Sequence, residues 1–170
     1  MRALKYSLLL LLFLLVVGLF LPQKMVIPVS DATSADWNHN TFWYEPWGSS
    51  IVHKGIDIFG DKGQSVIAAE RGIVLYVGTL SKGGNIIVVL GPKWRIHYYS
   101  HLQQTDVSAW QWVAKKQKIA TLGDSGNARG KAPHLHFSVV SLIPIPWEIT
   151  TQTHGWKRMF YLNPHELLQD

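Results

Sequence analysis

The feature that most constrains this chain is a series of short β-branched or apolar runs, each bounded by glycine or other turn residues. Runs of this kind at short, regular intervals favour antiparallel β-structure. Beyond residue 40 no long amphipathic helix is predicted, only a short terminal turn or helix at residues 164–168. We therefore expect a compact all-β domain. The predicted strands are residues 66–69, 72–77, 85–90, 94–99, 118–122 and 134–140.

The consecutive glycines of Lys82-Gly83-Gly84-Asn85 predict a hairpin turn. Glycine reaches positive φ without steric cost, and the common two-residue hairpin turns need it there. The strands on either side of this turn are therefore expected to pair.

The first 24 residues have the layout of an export segment. Arg2 and Lys5 make the start basic, and an apolar run from Leu8 to Leu21 follows. The run is shorter than the roughly 20 residues of a typical spanning helix, which favours a cleaved signal peptide. No small-x-small cleavage pattern follows the run, which favours a retained signal anchor in the inner membrane. Both alternatives place the rest of the chain outside the cytoplasm, anchored or secreted.

Composition then sets the domain boundaries and limits the partners. Residues 25–36 become polar and small towards their end and are predicted to be a linker, so the domain is expected at residues 37–170. The net charge is +5, but the positive residues Arg2, Lys5 and Lys24 account for three of these charges. Residues 26–170 carry 13 Lys and Arg against 11 Asp and Glu. The basic character therefore belongs mostly to the export segment, and no nucleic-acid partner is expected.

The histidine pattern predicts a metal site. The chain has no cysteine, so any metal must be held by His, Asp or Glu. In His134-Leu135-His136 the two imidazoles lie at i and i+2, and on a strand they share one face. His53 and Asp57, at i and i+4, also share a face if the segment is extended. One histidine of His-x-His with the His-x-x-x-Asp pair gives two nitrogens and one oxygen, which is typical of catalytic zinc with a fourth position open.

Other histidines are assigned differently. His101, which ends another short apolar run, could take a proton beside such a site. The sequence His165-Glu166 begins like the His-Glu-x-x-His zinc motif, but Gln169 cannot replace the second imidazole. The histidines interpreted as ordinary core or surface residues are His39, His97, His154 and His165.

These motifs together resemble the lysostaphin-like, or LytM-type, zinc metallopeptidases, over residues 47–164. Besides the histidine motifs, the matching segments are Gly63-x-x-Val66-x-Ala68-Ala69-x-x-Gly72-x-Val74, Gly83-Gly84-Asn85, Tyr99-Ser100-His101-Leu102, Gly123-Asp124-Ser125-Gly126-Asn127 and Pro133-His134-Leu135-His136-Phe137. The resemblance implies one Zn²⁺ bound by His53, Asp57 and His136, with His134 and His101 as the catalytic pair. It also implies a core of two antiparallel sheets, with the zinc on the floor of a groove formed by loops.

The function that the resemblance implies is hydrolysis of the peptide cross-links of bacterial peptidoglycan. His134 would act as general base on the attacking water, and His101 would hydrogen-bond the developing oxyanion. The alternative is a non-catalytic wall-binding module or an activator of another wall hydrolase, because some family members have lost the zinc ligands. Here all five positions carry the expected residue types. The implied partners are peptidoglycan stem peptides, the membrane through residues 1–24, and an unidentified regulatory protein.

An aromatic cluster precedes His53. Three roles are open for it: a wall of the substrate groove, a belt at a membrane interface, or an arm packed on the sheet. The cluster comprises Trp37, Phe42, Trp43, Tyr44 and Trp47.

Overall fold

The chain begins with a helix and continues mainly as short strands. A computed structural model describes residues 2–169. In these residues the helices are α1 (Arg2–Phe20) and α2 (Pro164–Leu167). The strands are β1 (Met25–Val26), β2 (Ile56–Phe59), β3 (Ser65–Ile67), β4 (Gly72–Leu80), β5 (Gly84–Gly91), β6 (Arg95–Thr105), β7 (Trp112–Val113), β8 (Lys118–Leu122), β9 (His134–Ser141), β10 (Tyr161–Leu162) and β11 (Leu168–Gln169).

Within residues 2–169, nine of the strands form one connected antiparallel sheet. Its main order is β10-β9-β6-β5-β4-β7, while β2 pairs with β9, and β8 pairs with both β3 and β6. The remaining strands, β1 and β11, form a two-stranded parallel sheet. The prediction of a mainly antiparallel β domain is confirmed, as is the hairpin between β4 and β5. The expected two-sheet antiparallel core is not confirmed: in the described residues β2 joins the sheet through β9, and β8 joins the same sheet through β6.

Strand β6 changes neighbours along its length. Residues 95–100 pair with β9, and residues 102–105 pair with β8. His101 lies at the change, with a φ of 63°, and the register with β8 shifts just after it. A local irregularity of this kind re-aims a side chain relative to the regular pleat. The junction therefore turns the His101 ring away from the direction that simple alternation would give it.

The core lies on one face of the β2–β9 pair. Ile56 and Ile58 alternate with Asp57 along β2, and both isoleucines are fully buried, as are Leu135 and Phe137 on β9. Burial of each such side chain contributes about 1.5–3 kcal/mol. Because successive side chains on a strand point to opposite faces, the residues between these core side chains point to the other face of both strands, where polar groups can lie.

Part of the predicted linker at residues 25–36 packs against the domain. Met25, Ile27 and Val29 are buried, and Val29 forms an isolated antiparallel bridge with Val66. Their i, i+2 spacing is the alternation of a strand that covers a core. The packed part of the chain therefore starts ahead of residue 37.

Helix α1 corresponds to the predicted hydrophobic segment and exposes most of its apolar side chains. It meets the domain near its carboxyl end, where the Trp94 indole Nε1 donates to the Leu15 carbonyl at 2.9 Å and lies against Gly18. Among the residues that the structure describes, no helix has the length and apolarity required to cross a membrane. Anchoring and export stay predictions.

Candidate metal centre

Three predicted ligands converge where β2 and β9 pair. Asp57 lies directly opposite His136 in the antiparallel register, and His53 lies just before β2. The nearest oxygen of Asp57, Oδ1, is 2.8 Å from His136 Nδ1 and 3.1 Å from His53 Nε2. The two ring nitrogens are 3.0 Å apart. One atom from each side chain thus forms a closed triangle, a geometry that can hold a metal ion.

The hydrogen-bond partners of the two imidazoles orient lone pairs into this triangle. His53 Nδ1 lies 3.1 Å from the Thr41 carbonyl oxygen, which can only accept, so the Nδ1 proton is donated there. In the neutral ring Nε2 then carries a lone pair that faces the carboxylate of Asp57. His136 Nε2 lies 3.0 Å from the Ser138 hydroxyl, to which it can donate so that Nδ1 is also free to ligate. Acceptors held this close repel one another unless a cation lies between them, so the donor set fits a metal.

The two nitrogens and one oxygen also suit zinc in particular. Catalytic zinc takes three protein ligands at about 2.0–2.2 Å, which places neighbouring ligand atoms of a tetrahedral site about 3.3 Å apart. The observed separations of 2.8–3.1 Å are slightly smaller, so only a small outward adjustment is needed. Hydrogen bonds from the far nitrogens of ligating imidazoles, as seen here, are typical of zinc sites.

The protonation states of Asp57 and His136 are those that metal ligands need. Burial acts to raise the pKa of Asp57, but the neighbouring imidazoles of His136 and His53, which hydrogen-bond to the carboxylate whenever they present an N–H to it, outweigh burial and hold that pKa well below its usual range. Burial lowers the pKa of His136 by more than the neighbouring carboxylate raises it. An ionised carboxylate beside a neutral imidazole is ready to bind a cation without first losing a proton.

The two predicted catalytic histidines lie beside the triangle. His134 Nδ1 donates to the Ala132 carbonyl at 2.8 Å, and His101 Nδ1 donates to the Ser125 carbonyl at 2.9 Å. Their ring centroids are 4.9 Å apart, and the His101 ring is 6.1 Å from that of His136. Burial lowers the pKa of His101 to about 4. Because each Nδ1 proton is held by a carbonyl, the neutral rings carry a lone pair at Nε2.

The segment of residues 37–50, which we call the aromatic arm, contacts His53 through backbone hydrogen bonds and a ring stack. The Trp43 amide donates to the His53 carbonyl at 2.7 Å, and the His53 amide donates to the Tyr44 carbonyl at 3.0 Å. The Trp47 ring stacks on the imidazole at 3.9 Å with an interplanar angle of 16°. Trp37 and Trp43 are buried against the domain. Trp37 and Trp43 therefore fit the hypothesis of an arm packed on the sheet. Trp47, which lies against His53, fits the hypothesis of a groove wall.

A pocket of about 660 Å³ opens above the cluster. Its walls come from the aromatic arm, the turn between β4 and β5, and the loop before β9. All five predicted site residues line it. The other polar or charged side chains around it are Ser49, Ser50, Lys54, Lys82, Tyr98, Ser100, Asn127, Lys131, Ser138 and Tyr161.

Some neighbours of the cluster were missed by sequence analysis. Ser138 continues the i, i+2 series of His134 and His136 on the same face of β9, and extending that series would have found it. The Thr41 contact uses a backbone carbonyl, so side-chain identity gives no signal for it. The Trp47 stack depends on how the arm folds back on His53.

Gly55, between His53 and Asp57, gives a test of how tightly this region is packed. A Cβ at residue 55 would lie 2.4 Å from the Phe137 carbonyl oxygen and 2.6 Å from Ser138 Oγ. We expect Gly55→Ala to lower the free energy of unfolding by about 2–3 kcal/mol, measured by urea denaturation, because a backbone carbonyl cannot move aside cheaply. Gly130→Ala is the control: its Cβ meets nothing within 4 Å, and its φ of 78° alone costs about 1–2 kcal/mol. A loss for Gly55→Ala no larger than for the control would contradict the predicted packing.

The chain is similar in sequence to a known protein family and to curated proteins. Residues 51–143 match the model of Peptidase family M23. Murein hydrolase activator NlpD of Escherichia coli (strain K12) is 39% identical over 88 residues, which cover 51% of this chain and 22% of that protein. This chain therefore spans less than a quarter of that relative's length.

Two solved structures share the fold. The catalytic domain of the antimicrobial peptidase lysostaphin from Staphylococcus simulans has a TM-score of 0.56 at 25% identity, over 71% of this chain and 83% of that one. A zinc-containing peptidase from Vibrio cholerae has a TM-score of 0.53 at 30% identity, over 68% of this chain and 35% of that one.

Proposed function

This chain belongs to Peptidase family M23, and on that premise we propose that it is a zinc-dependent endopeptidase that hydrolyses peptide cross-links of bacterial peptidoglycan. The observation that carries the proposal is the complete set of five residues around one accessible pocket. His53, Asp57 and His136 would hold Zn²⁺, and His134 and His101 lie beside it. The lysostaphin and Vibrio cholerae likenesses, both with proteins named as peptidases, support it.

In the proposed reaction the protein supplies bases and orientation around the metal. When bound, zinc supplies Lewis acidity, which polarises the scissile carbonyl and acidifies the attacking water. His134 Nε2 accepts the proton of that water and passes it to the leaving amine. The Ala132 carbonyl keeps the ring oriented by holding the Nδ1 proton.

His101 is proposed to stabilise the developing oxyanion. Its Nδ1 proton is held by the Ser125 carbonyl. It can therefore donate towards the pocket only from Nε2, and only when that nitrogen carries a second proton. Negative charge that develops on the substrate favours this protonated form, so the interaction strengthens as the transition state is approached.

A second candidate function is activation of another wall hydrolase. It is favoured by the similarity to NlpD, which is named a murein hydrolase activator. An activator would not need the metal ligands, whereas this chain keeps all three with their supporting hydrogen bonds. Both functions place the chain in the cell envelope, in contact with peptidoglycan.

One experiment separates the two functions. Zinc-loaded, folded protein is incubated with cross-linked muropeptides, with and without a chelator, and the loss of cross-linked dimers is followed by chromatography. We expect the dimers to be cleaved and chelation to stop the cleavage. Absent or chelator-insensitive cleavage would reject the endopeptidase proposal. Stimulation of an added murein hydrolase by that inactive protein would then favour the activator.

A further inference from the structure

The charged side chains that line the pocket, histidines aside, are mostly positive. Of the side chains that line it, three are lysines and one is an acid: Lys54, Lys82 and Lys131 against Asp57. The Asp57 carboxylate faces the two ligand imidazoles and is committed to them. Glu45 lies on the aromatic arm beside a lining residue but does not itself line the pocket. The space in front of the metal ligands is therefore electropositive, and a bound divalent cation would make it more so.

Two of these lysines are held close to one another by the aromatic arm and the residues after it. Lys54 Nζ donates to the carbonyl oxygens of Ser50 at 3.1 Å and Val52 at 3.4 Å. Lys82 Nζ, from the turn between β4 and β5, donates to the Ser49 carbonyl at 3.4 Å. Both ammonium groups thus bind carbonyls of consecutive residues. Since each ammonium group has three N–H donors, both keep a donor that the protein does not use.

In the part of the chain that the structure describes, the three lysines lie in no ion pair with a carboxylate. Among the described residues, the ion pairs within 4.0 Å do not include Lys54, Lys82 or Lys131. Gathering like charges at a pocket without a counter-ion costs stability, and such costs are typical of functional sites.

We propose that Lys54, Lys82 and Lys131 form a carboxylate-binding subsite that selects peptides bearing a free carboxylate close to the scissile amide. The proposal rests on the proposed function and makes it narrower, since it names the substrate class as anionic peptides. Lys82 and Lys131 are specificity-determining residues from two different elements, one from the turn between β4 and β5 and one from the loop before β9. They hold the carboxylate end of the peptide while its amide reaches the metal centre.

The test is an NMR titration of the zinc-loaded protein with two peptides. One is acetyl-Gly-Gly-Ala with a free terminal carboxylate, and the other is the same peptide as its terminal amide. The same spectra report the dissociation constant and any cleavage, so binding and turnover are read separately. The variants are Lys54→Gln, Lys82→Gln, Lys131→Gln and the combination of all three. Lys116→Gln, an exposed lysine outside the pocket, is the matched control.

We expect the natural chain to bind the carboxylate peptide about fivefold more tightly than the amide at low ionic strength, since one exposed ion pair is worth up to about a factor of five. Each single substitution should reduce this preference, and the combination should bring it close to one, while Lys116→Gln keeps it. Thermal melts that match the natural chain confirm that the variants fold.

Two results would overturn the subsite: equal binding of the two peptides by the natural chain, or a preference that survives substitution of all three lysines. The second would mean that the metal rather than the lysines holds the carboxylate. If the preference and its loss are both seen but cross-linked muropeptides are not cleaved, the subsite stands and the endopeptidase proposal fails.

Discussion

Asp57→Ala is expected to abolish stoichiometric zinc binding and, with it, turnover of cross-linked muropeptides. Asp57 supplies the one oxygen of the donor triangle and the negative charge that favours the cation. Loss of a residue that merely orients a ligand costs 10–100-fold in metal affinity, so loss of a ligand should cost more than about 100-fold. The measurement is a zinc titration against a competing chelator, followed by the muropeptide assay on the same sample.

Asp61→Ala is the matched control. Asp61 follows β2 by two residues, its side chain is exposed, and it does not line the pocket. We expect it to bind zinc and to cleave as the natural chain does. Retained hydrolysis by a folded Asp57→Ala protein would show that the metal assignment is wrong. Loss of zinc by both variants would show that the site responds to the surrounding structure and not to the ligand.

Local sequence patterns predict most of the sheet because they report which face of a strand is buried. The run at residues 118–122 coincides with β8, and the run at residues 134–140 coincides with β9 except for its last residue. In β9 the period of two also predicts the chemistry. Leu135 enters the core, whereas His134 and His136 share the pocket face. The convergence of the metal-ligand residues was therefore within reach of the sequence, while their roles stay predictions.

Features that depend on contacts between distant segments were not predictable in the same way. The position of His101 results from the change of partner along β6, and nothing in the sequence around it specifies that β9 ends its pairing where β8 begins. The pairing of β1 with β11 joins the two ends of the domain. The polar composition of residues 30–37 indicated a linker, so this pairing was not expected. The conformation of the aromatic arm was not predictable either, because long-range packing determines that Trp43 is buried and that Trp47 stacks on His53.

His134→Ala is expected to separate metal binding from catalysis. Its ring lies outside the donor triangle, so zinc affinity should stay within a few-fold of that of the natural chain. Turnover should fall by about 10²–10⁴-fold, the usual contribution of a positioned general base. The measurements are the zinc titration and kcat on cross-linked muropeptides. His165→Ala, which removes an imidazole from α2 away from the pocket, should change neither.

Comparing His134→Ala with His101→Ala tests which ring is the general base and which ring stabilises the oxyanion. Both neutral imidazoles offer Nε2 to the pocket, because both Nδ1 protons are held by backbone carbonyls. If His134 is the base, added small amines such as imidazole should restore part of the lost rate in His134→Ala, since they replace the missing acceptor. They should restore less in His101→Ala, where a positioned donor to the oxyanion is missing. Rescue confined to His101→Ala would reverse the two roles, and zinc loss in His134→Ala would move that residue into the ligand set.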